Sequence, residues 1–226
     1  SRYDPDPMRY YLTVNAPEAR DTDFSWYDFW RRNNDELVAT WGNLAHRVLT
    51  FCHRHFGRVP SPGELDQRDK ALLSQIEGAF EPIGELIARC KFRLALEEVM
   101  ALARETNRYL DEKEPWKKIE EDRESASTAL YVALRVIDSL KVLFYPFLPF
   151  SSQKLHAYLM GRLEIREYRE KHKTHEALIY HKSDADEKWA PSRLPIGQTL
   201  RKPEPLFKKL DESIVEEEQA RLGRPG

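Results

Sequence analysis

Apolar residues recur at helical spacing along most of the chain. The clearest stripe lies between Ser25 and Phe56, where Trp26, Trp30, Leu37, Trp41, Leu44, Val48, Cys52 and Phe56 fall on one side of a 3.6-residue period. At 1.5 Å per residue this predicts one helix about 45 Å long, capped at Ser25 with Asp28 three residues on. Gly57 and the Pro60-Ser61-Pro62-Gly63 cluster end it. A short helix is predicted before it, from Asp4 to Val14, with acidic capping from Asp4-Pro5-Asp6. Leu65, Leu72, Ile76, Phe80, Ile83 and Ile87 mark a third helix from Glu64 to Arg89, kinked or split near Phe80 by Pro82. A fourth runs from Lys91 to Asp111 and stops before Pro115. A fifth, Trp116 to Tyr145, carries the small-residue stripe Ala126, Ala129 and Ala133. Ser151-Ser152 is expected to cap a sixth, ending at Met160. The stretch 161–200 is polar and aperiodic, an insertion or loop with room for a short hairpin, and an acidic helix spans Asp211 to Leu222.

The sum is an all-α bundle of five to six long helices with a polar insertion and a C-terminal helix. Its expected organisation is a connector (1–24), the bundle (25–160), the insertion (161–200) and a C-terminal peptide with a helix (201–226). Among 226 residues 41% are hydrophobic and 33% charged, with only 9 glycines, which suits a helical protein with a substantial core. The formal net charge is -2, so a nucleic-acid contact has to be a local patch and a non-specific DNA binder is disfavoured. Cys52 and Cys90 form no disulfide framework and read as reduced core thiols in a cytoplasmic protein. No apolar run approaches the ~20 residues of a membrane span. The amino end, Ser1-Arg2-Tyr3-Asp4-Pro5, lacks an initiator Met and reads like the middle of a longer chain.

Catalytic motifs are missing: there is no glycine-rich phosphate loop and no GxSxG elbow. Cys52-His53-Arg54-His55 has no second ligand cluster at zinc spacing, so no metal site is expected. His172, His175 and His181 read as solvated histidines of the insertion. Two stretches hold candidate chemistry. Asn43 and Arg47 stand one turn apart beside the first stripe, where an amide and a guanidinium can read a base edge or form a plain polar face. Trp116 follows Pro115 at a helix-to-helix corner. Exposed, it is a platform for an unstacked base; the bare pattern favours a buried corner wedge, because large aromatics are usually buried.

These stretches also carry a family likeness. WGNLAHR followed by DEKEPW resembles the anticodon-binding helical bundle of methionyl-tRNA synthetases, and the likeness covers nearly the whole chain. DPDPMRYYL looks like the segment after that family's second ATP signature. RRNNDELVATWGNLAHRVL looks like its first long bundle helix, and NRYLDEKEPWKK like its corner. YPFLPFSSQKLHAYL and KPEPLFKKLDE look like its closing helix and C-terminal peptide. The resemblance implies that Asn43 and Arg47 read the CAU anticodon of methionine tRNA and that Trp116, set by Pro115, stacks on a base. Arg54, Lys117 and Lys118 become candidate phosphate contacts, with surface solubility as the alternative. Neither ATP-binding signature, HIGH-like or KMSKS-like, occurs here. The resemblance therefore puts ATP, zinc and all catalytic residues in an upstream half, a partner this chain needs to charge tRNA. Without that half, Pro203 to Gly226 is expected to pack differently or to expose Leu206 and Phe207. The competing class is a free-standing bundle for protein interaction, without tRNA specificity, self-associating through those two residues.

Overall fold

The computed structural model describes residues 2–18, 22–159, 164–170, 173–179 and 189–222. Helix α1 is Pro5–Val14, α2 Trp26–Arg32 and α3 Asn43–His55, with a π-helical segment, Asn33–Gly42, running between α2 and α3. Then come α4 (Gln67–Gly78), α5 (Phe80–Ala88), α6 (Phe92–Lys113), the single turn α7 (Pro115–Lys118), α8 (Arg123–Phe144) and α9 (Pro149–Leu159). A two-stranded antiparallel hairpin, β1 (Glu164–Glu170) and β2 (Lys173–Ile179), precedes α10 (Ser213–Leu222). The architecture is an all-α bundle whose insertion holds the hairpin. No helix among the described residues is long and apolar enough to cross a membrane.

Helix α8 is the centre. Leu130, Val132, Ala133, Leu134, Val136, Ile137, Leu140, Leu143 and Phe144 are all buried, so it is apolar nearly all round and takes α6, α4, α3 and α9 as neighbours. The small residues Ala126, Ala129 and Ala133 are buried as their spacing predicts. One polar cluster sits inside. Asp138 and Lys141 pair at 3.0 Å, Lys141 Nζ lies 2.7 Å from His156 Nδ1, and Ser192 Oγ donates to Asp138 at 2.5 Å. A buried charge persists only when paired this way.

Several boundaries differ from expectation. The long helix is continuous from Trp26 to His55 but is not α-helical throughout: Asn33–Gly42 is π-helical. Spacing alone misses this, because apolar positions four apart satisfy either geometry. The stripe is nonetheless core, with Leu37, Trp41, Leu44, Val48 and Cys52 at 0–1% exposure. Ser25 caps its start, accepting from Asp28 N at 3.3 Å. Asp4 makes no capping side-chain bond; instead Asp6 is buried and accepts from Ser151 N and Oγ, each at 2.7 Å. That contact removes Ser151-Ser152 from the expected capping role, and Pro149 opens α9. The third helix starts at Gln67 rather than Glu64, because Asp66 and Asp69 form a reciprocal capping box there, and it divides before Phe80. The fifth does not start at Trp116: Asp122 caps α8, accepting from Ser125 N at 3.0 Å, and leaves α7 as a separate turn.

Cys52 is a core thiol, but Cys90 is exposed. It terminates α5 at φ 57°, where Cys90 N donates to Ile87 O and Lys91 N to Leu86 O, both at 2.9 Å, so its side chain points out of the stripe. The C-terminal peptide does not expose its apolar pair. Phe207 is 5% exposed and Leu206 is half-buried, because the peptide lies back on the π segment. His172 and His181, the end of the sixth helix at Met160, and residues 223–226 lie outside the described residues.

Gly42 closes the π segment, and a Cβ there would stand 2.9 Å from Leu37 O and 3.0 Å from Phe207 Cδ2. Gly42→Ala should destabilise the fold by about 1–3 kcal/mol, the usual cost of overpacking. Gly78→Ala, in open space at a helix end, should stay within about 1 kcal/mol of the parent. Paired urea denaturation curves check the contrast.

Candidate nucleic-acid interface

The corner between α6 and α8 is built from backbone upward. Pro115 forbids Glu114 an ordinary helical conformation, and Glu114 adopts the left-handed one, φ 49° and ψ 49°, rather than the extended one usual before proline. The Glu114 carbonyl then accepts from Lys117 N at 3.0 Å and Lys118 N at 3.3 Å, so one residue ends α6 and starts α7. Pro115 is buried and Trp116 half-buried. The tryptophan is thus presented on fixed backbone, partly packed on the core.

Lys113 fixes the corner to α4. Its Nζ lies 2.5 Å from Asp66 Oδ2 and 2.8 Å from Asp69 Oδ1, and Tyr109 Oη donates to Asp69 at 2.7 Å. The Lys113 hydrogen bond, followed by that of the Asp69 backbone N–H, holds the Asp66 carboxyl down at about 2. Burial and the Asp69 carboxylate push the Tyr109 hydroxyl well above its usual range.

Across from the corner, α3 presents a ladder with a four-residue step: Asn43, Arg47, Phe51 and His55. Asn43 is exposed. The Arg47 guanidinium carbon lies over the Trp116 ring, 4.1 Å from its centroid. Phe51 meets Trp116 edge-on with centroids 6.3 Å apart, and His55 stacks on Phe51 at 4.2 Å. Arg47 Nη2 reaches Asp111 Oδ1 only at 3.6 Å, and its buried Nε has no hydrogen-bond partner. A guanidinium with unused donors on an aromatic face is equipped to take a planar ligand carrying acceptors.

The two sequence stretches therefore meet in space: Arg47 and Trp116 touch, and Asn43 stands one turn before Arg47. Trp116 is neither a fully buried wedge nor an open platform, since Arg47 occupies its face. Arg54 is exposed on α3; Lys117 is exposed but paired with Glu114 at 2.5 Å; Lys118 is partly buried. Sequence reasoning missed Phe51, His55 and Arg123. The first two were findable, because they continue the step from Asn43 and Arg47. Arg123 donates to His55 O at 2.9 Å and lies over the Phe56 ring at 4.7 Å, contacts between distant residues that no local spacing announces. Among the described residues no group of three or more His, Cys, Asp or Glu is gathered for a metal ion, and burial pushes the Cys52 thiol up.

The fold and the site define a helical bundle with a guanidinium laid on a half-buried corner tryptophan. Comparison with known proteins narrows it. Residues 59–225 match the family model of the anticodon binding domain of methionyl tRNA ligase, and residues 1–49 match that of class I tRNA synthetases (M). The chain belongs to the anticodon-binding domain family of methionyl-tRNA ligases. It is 52% identical over 229 residues to a methionine–tRNA ligase of Chloroflexus aurantiacus, matched over 98% of this chain and 38% of that protein. Against the methionine–tRNA ligase of Thermomicrobium roseum the identity is 54% over 231 residues, covering 98% of this chain and 39% of the relative. The chain thus spans well under half the length of these relatives. A Mycobacterium tuberculosis methionyl-tRNA synthetase structure bound by methionyl-adenylate matches with TM-score 0.78 and 26% identity, over 91% of this chain and 38% of that one.

The corner's ion pair gives a pH signature. Folded Asp66 binds its proton near pH 2, the unfolded chain near about 4. Its stabilising contribution is complete above about pH 4 and is lost as pH falls towards 2. Thermal melts from pH 6 down to 2 should show a steeper acid loss for the parent than for Asp66→Asn. Because Asp66 is largely exposed, the difference should be small and shrink in salt.

Proposed function

We propose that this chain recognises the CAU anticodon loop of methionine tRNA as the C-terminal part of a methionine–tRNA ligase. The observation that carries the reading is the Arg47–Trp116 contact, a guanidinium with an unpartnered Nε lying on the face of a corner tryptophan beside exposed Asn43. On binding, a base splayed from the loop takes the Trp116 face, and Arg47 moves to the base edge. A cytosine presents O2 and N3 as acceptors there, and Asn43 offers a donor and an acceptor. Magnitudes favour the exchange. Arg on Trp is worth about 0.5–1 kcal/mol at a partly exposed site, and the loose Asp111 pair about 0–1. Base stacking supplies about 1–3 kcal/mol before any base-edge bond forms. Phe51 and His55 extend the aromatic surface along α3, and Arg54, Lys117 and Lys118 serve the phosphate backbone.

Attachment of methionine, with its ATP and any zinc, belongs to the remainder of the parent protein. Neither ATP signature occurs in these 226 residues, so none of them is assigned to a cofactor. Of the pair proposed for the interaction-module alternative, Phe207 is buried and Leu206 half-buried.

Trp116→Ala should weaken binding of a CAU anticodon stem-loop by about 1–3 kcal/mol, roughly five- to 150-fold, with Trp116→Phe retaining most of the affinity. Arg54→Ala should weaken all loops alike and lower the salt slope by about one contact. Titrations of a labelled stem-loop measure both. Unchanged CAU affinity in Trp116→Ala would overturn the stacking assignment.

A further inference from the structure

A π-helical turn spends one more residue than an α-helical one. Returning one such turn to α would advance every later side chain by about 100° around the axis. The π segment Asn33–Gly42 ends at the residue before Asn43, so its geometry sets where Asn43, Arg47, Phe51 and His55 face.

The C-terminal peptide lies along that segment and touches both ends. At the near end the Asn34 side chain pairs with the Leu210 main chain in both directions: Nδ2 donates to Leu210 O at 2.9 Å, and Leu210 N donates to Oδ1 at 2.9 Å. Asn33 Nδ2 donates to Lys208 O at 3.1 Å, and Trp30 Nε1 to Leu210 O at 3.1 Å. At the far end Phe207 closes on Gly42, where no Cβ fits. Beyond the peptide, α10 is tied to the start of the chain through Arg2 with Glu217 at 2.7 Å and Tyr3 with Glu218 at 2.8 Å.

We infer that residues 207–210 act as a splint that holds Asn33–Gly42 in the π-helical register, and that Asn34 and Phe207 are thereby positioning residues for the Asn43–Arg47 reading face. The second half of this inference rests on the proposed anticodon reading; the first does not. Core packing also resists rotation, on the segment itself through Leu37 and Trp41 and downstream of it through Leu44, Val48 and Cys52. The amide clamp and Phe207 add to that packing, holding the first turn of the segment and its last residue from the peptide side.

The test uses the full chain with Asn34→Ala, Phe207→Ala and, as conservative rescue, Phe207→Leu. Peptide-resolved amide exchange should run at least tenfold faster over residues 33–47 in both alanine variants, with α6 and α8 at the parent rate and Phe207→Leu close to it. The preference for a CAU stem-loop over one with its C replaced by G should fall several-fold in the alanine variants and return in Phe207→Leu. Parent-like exchange over 33–47 overturns the splint, as does acceleration spread evenly through α6 and α8. Faster local exchange with an unchanged preference overturns the positioning role. A parent that does not discriminate at all refutes the anticodon reading and with it the positioning role, while the exchange result alone decides the splint.

Discussion

The protein depends on a lysine held between two aspartates. Lys113 ends α6, and its ammonium bridges Asp66 and Asp69 at the start of α4. The two carboxylates contribute unequally. Asp66 is 59% exposed and its pair is worth about 0–1 kcal/mol. Asp69 is 2% exposed and also accepts from Tyr109, and stranding such a charge costs about 3–5 kcal/mol. The lock stands one residue before Glu114, whose left-handed backbone turns the chain into Pro115 and Trp116. A strained corner persists only when its surroundings over-determine it, and the lock on one side and the proline on the other do so.

What the corner holds is a face rather than a pocket. Trp116 supplies area that is indifferent to sequence; Arg47 and Asn43 supply donors and acceptors with direction. A net charge of -2 gives the chain little long-range attraction for a polyanion, so the proposed recognition rests on local contacts. The four-residue ladder on α3 gives them rigidity, each rung set by the same helical backbone. The π segment leads directly into the ladder, and the C-terminal peptide, from the opposite end of the sequence, packs on that segment.

The helices were legible because their stripes are long and regular, but the clearest stripe, from Ser25 to Phe56, drew attention away from α8, whose central place shows only in its packing. The candidate pair Arg47 and Trp116 was legible from motif and resemblance, and geometry brought the two into contact. Other features stayed hidden for identifiable reasons. A π-helical stretch keeps apolar residues four apart, as an α-helix does, so Asn33–Gly42 left no mark in the pattern. Asp6 resembled a helix cap until Ser151, 145 residues away, claimed its carboxylate. Asn33 and Asn34 looked like ordinary polar positions because their partners, Lys208 and Leu210, lie at the far end of the chain. Arg47 covering Trp116 is likewise a through-space contact, and together with packing on the core it accounts for the tryptophan's half-burial.

The most direct test is binding of this chain to a short anticodon stem-loop carrying CAU, against the same loop with its C replaced by G, at low and at moderate salt. Phosphate contacts alone are blind to sequence and fade as salt rises. The account predicts a preference for CAU that survives the increase in salt while both affinities fall. Equal binding to the two loops at both salts would contradict the claim that Asn43, Arg47 and Trp116 read an anticodon base.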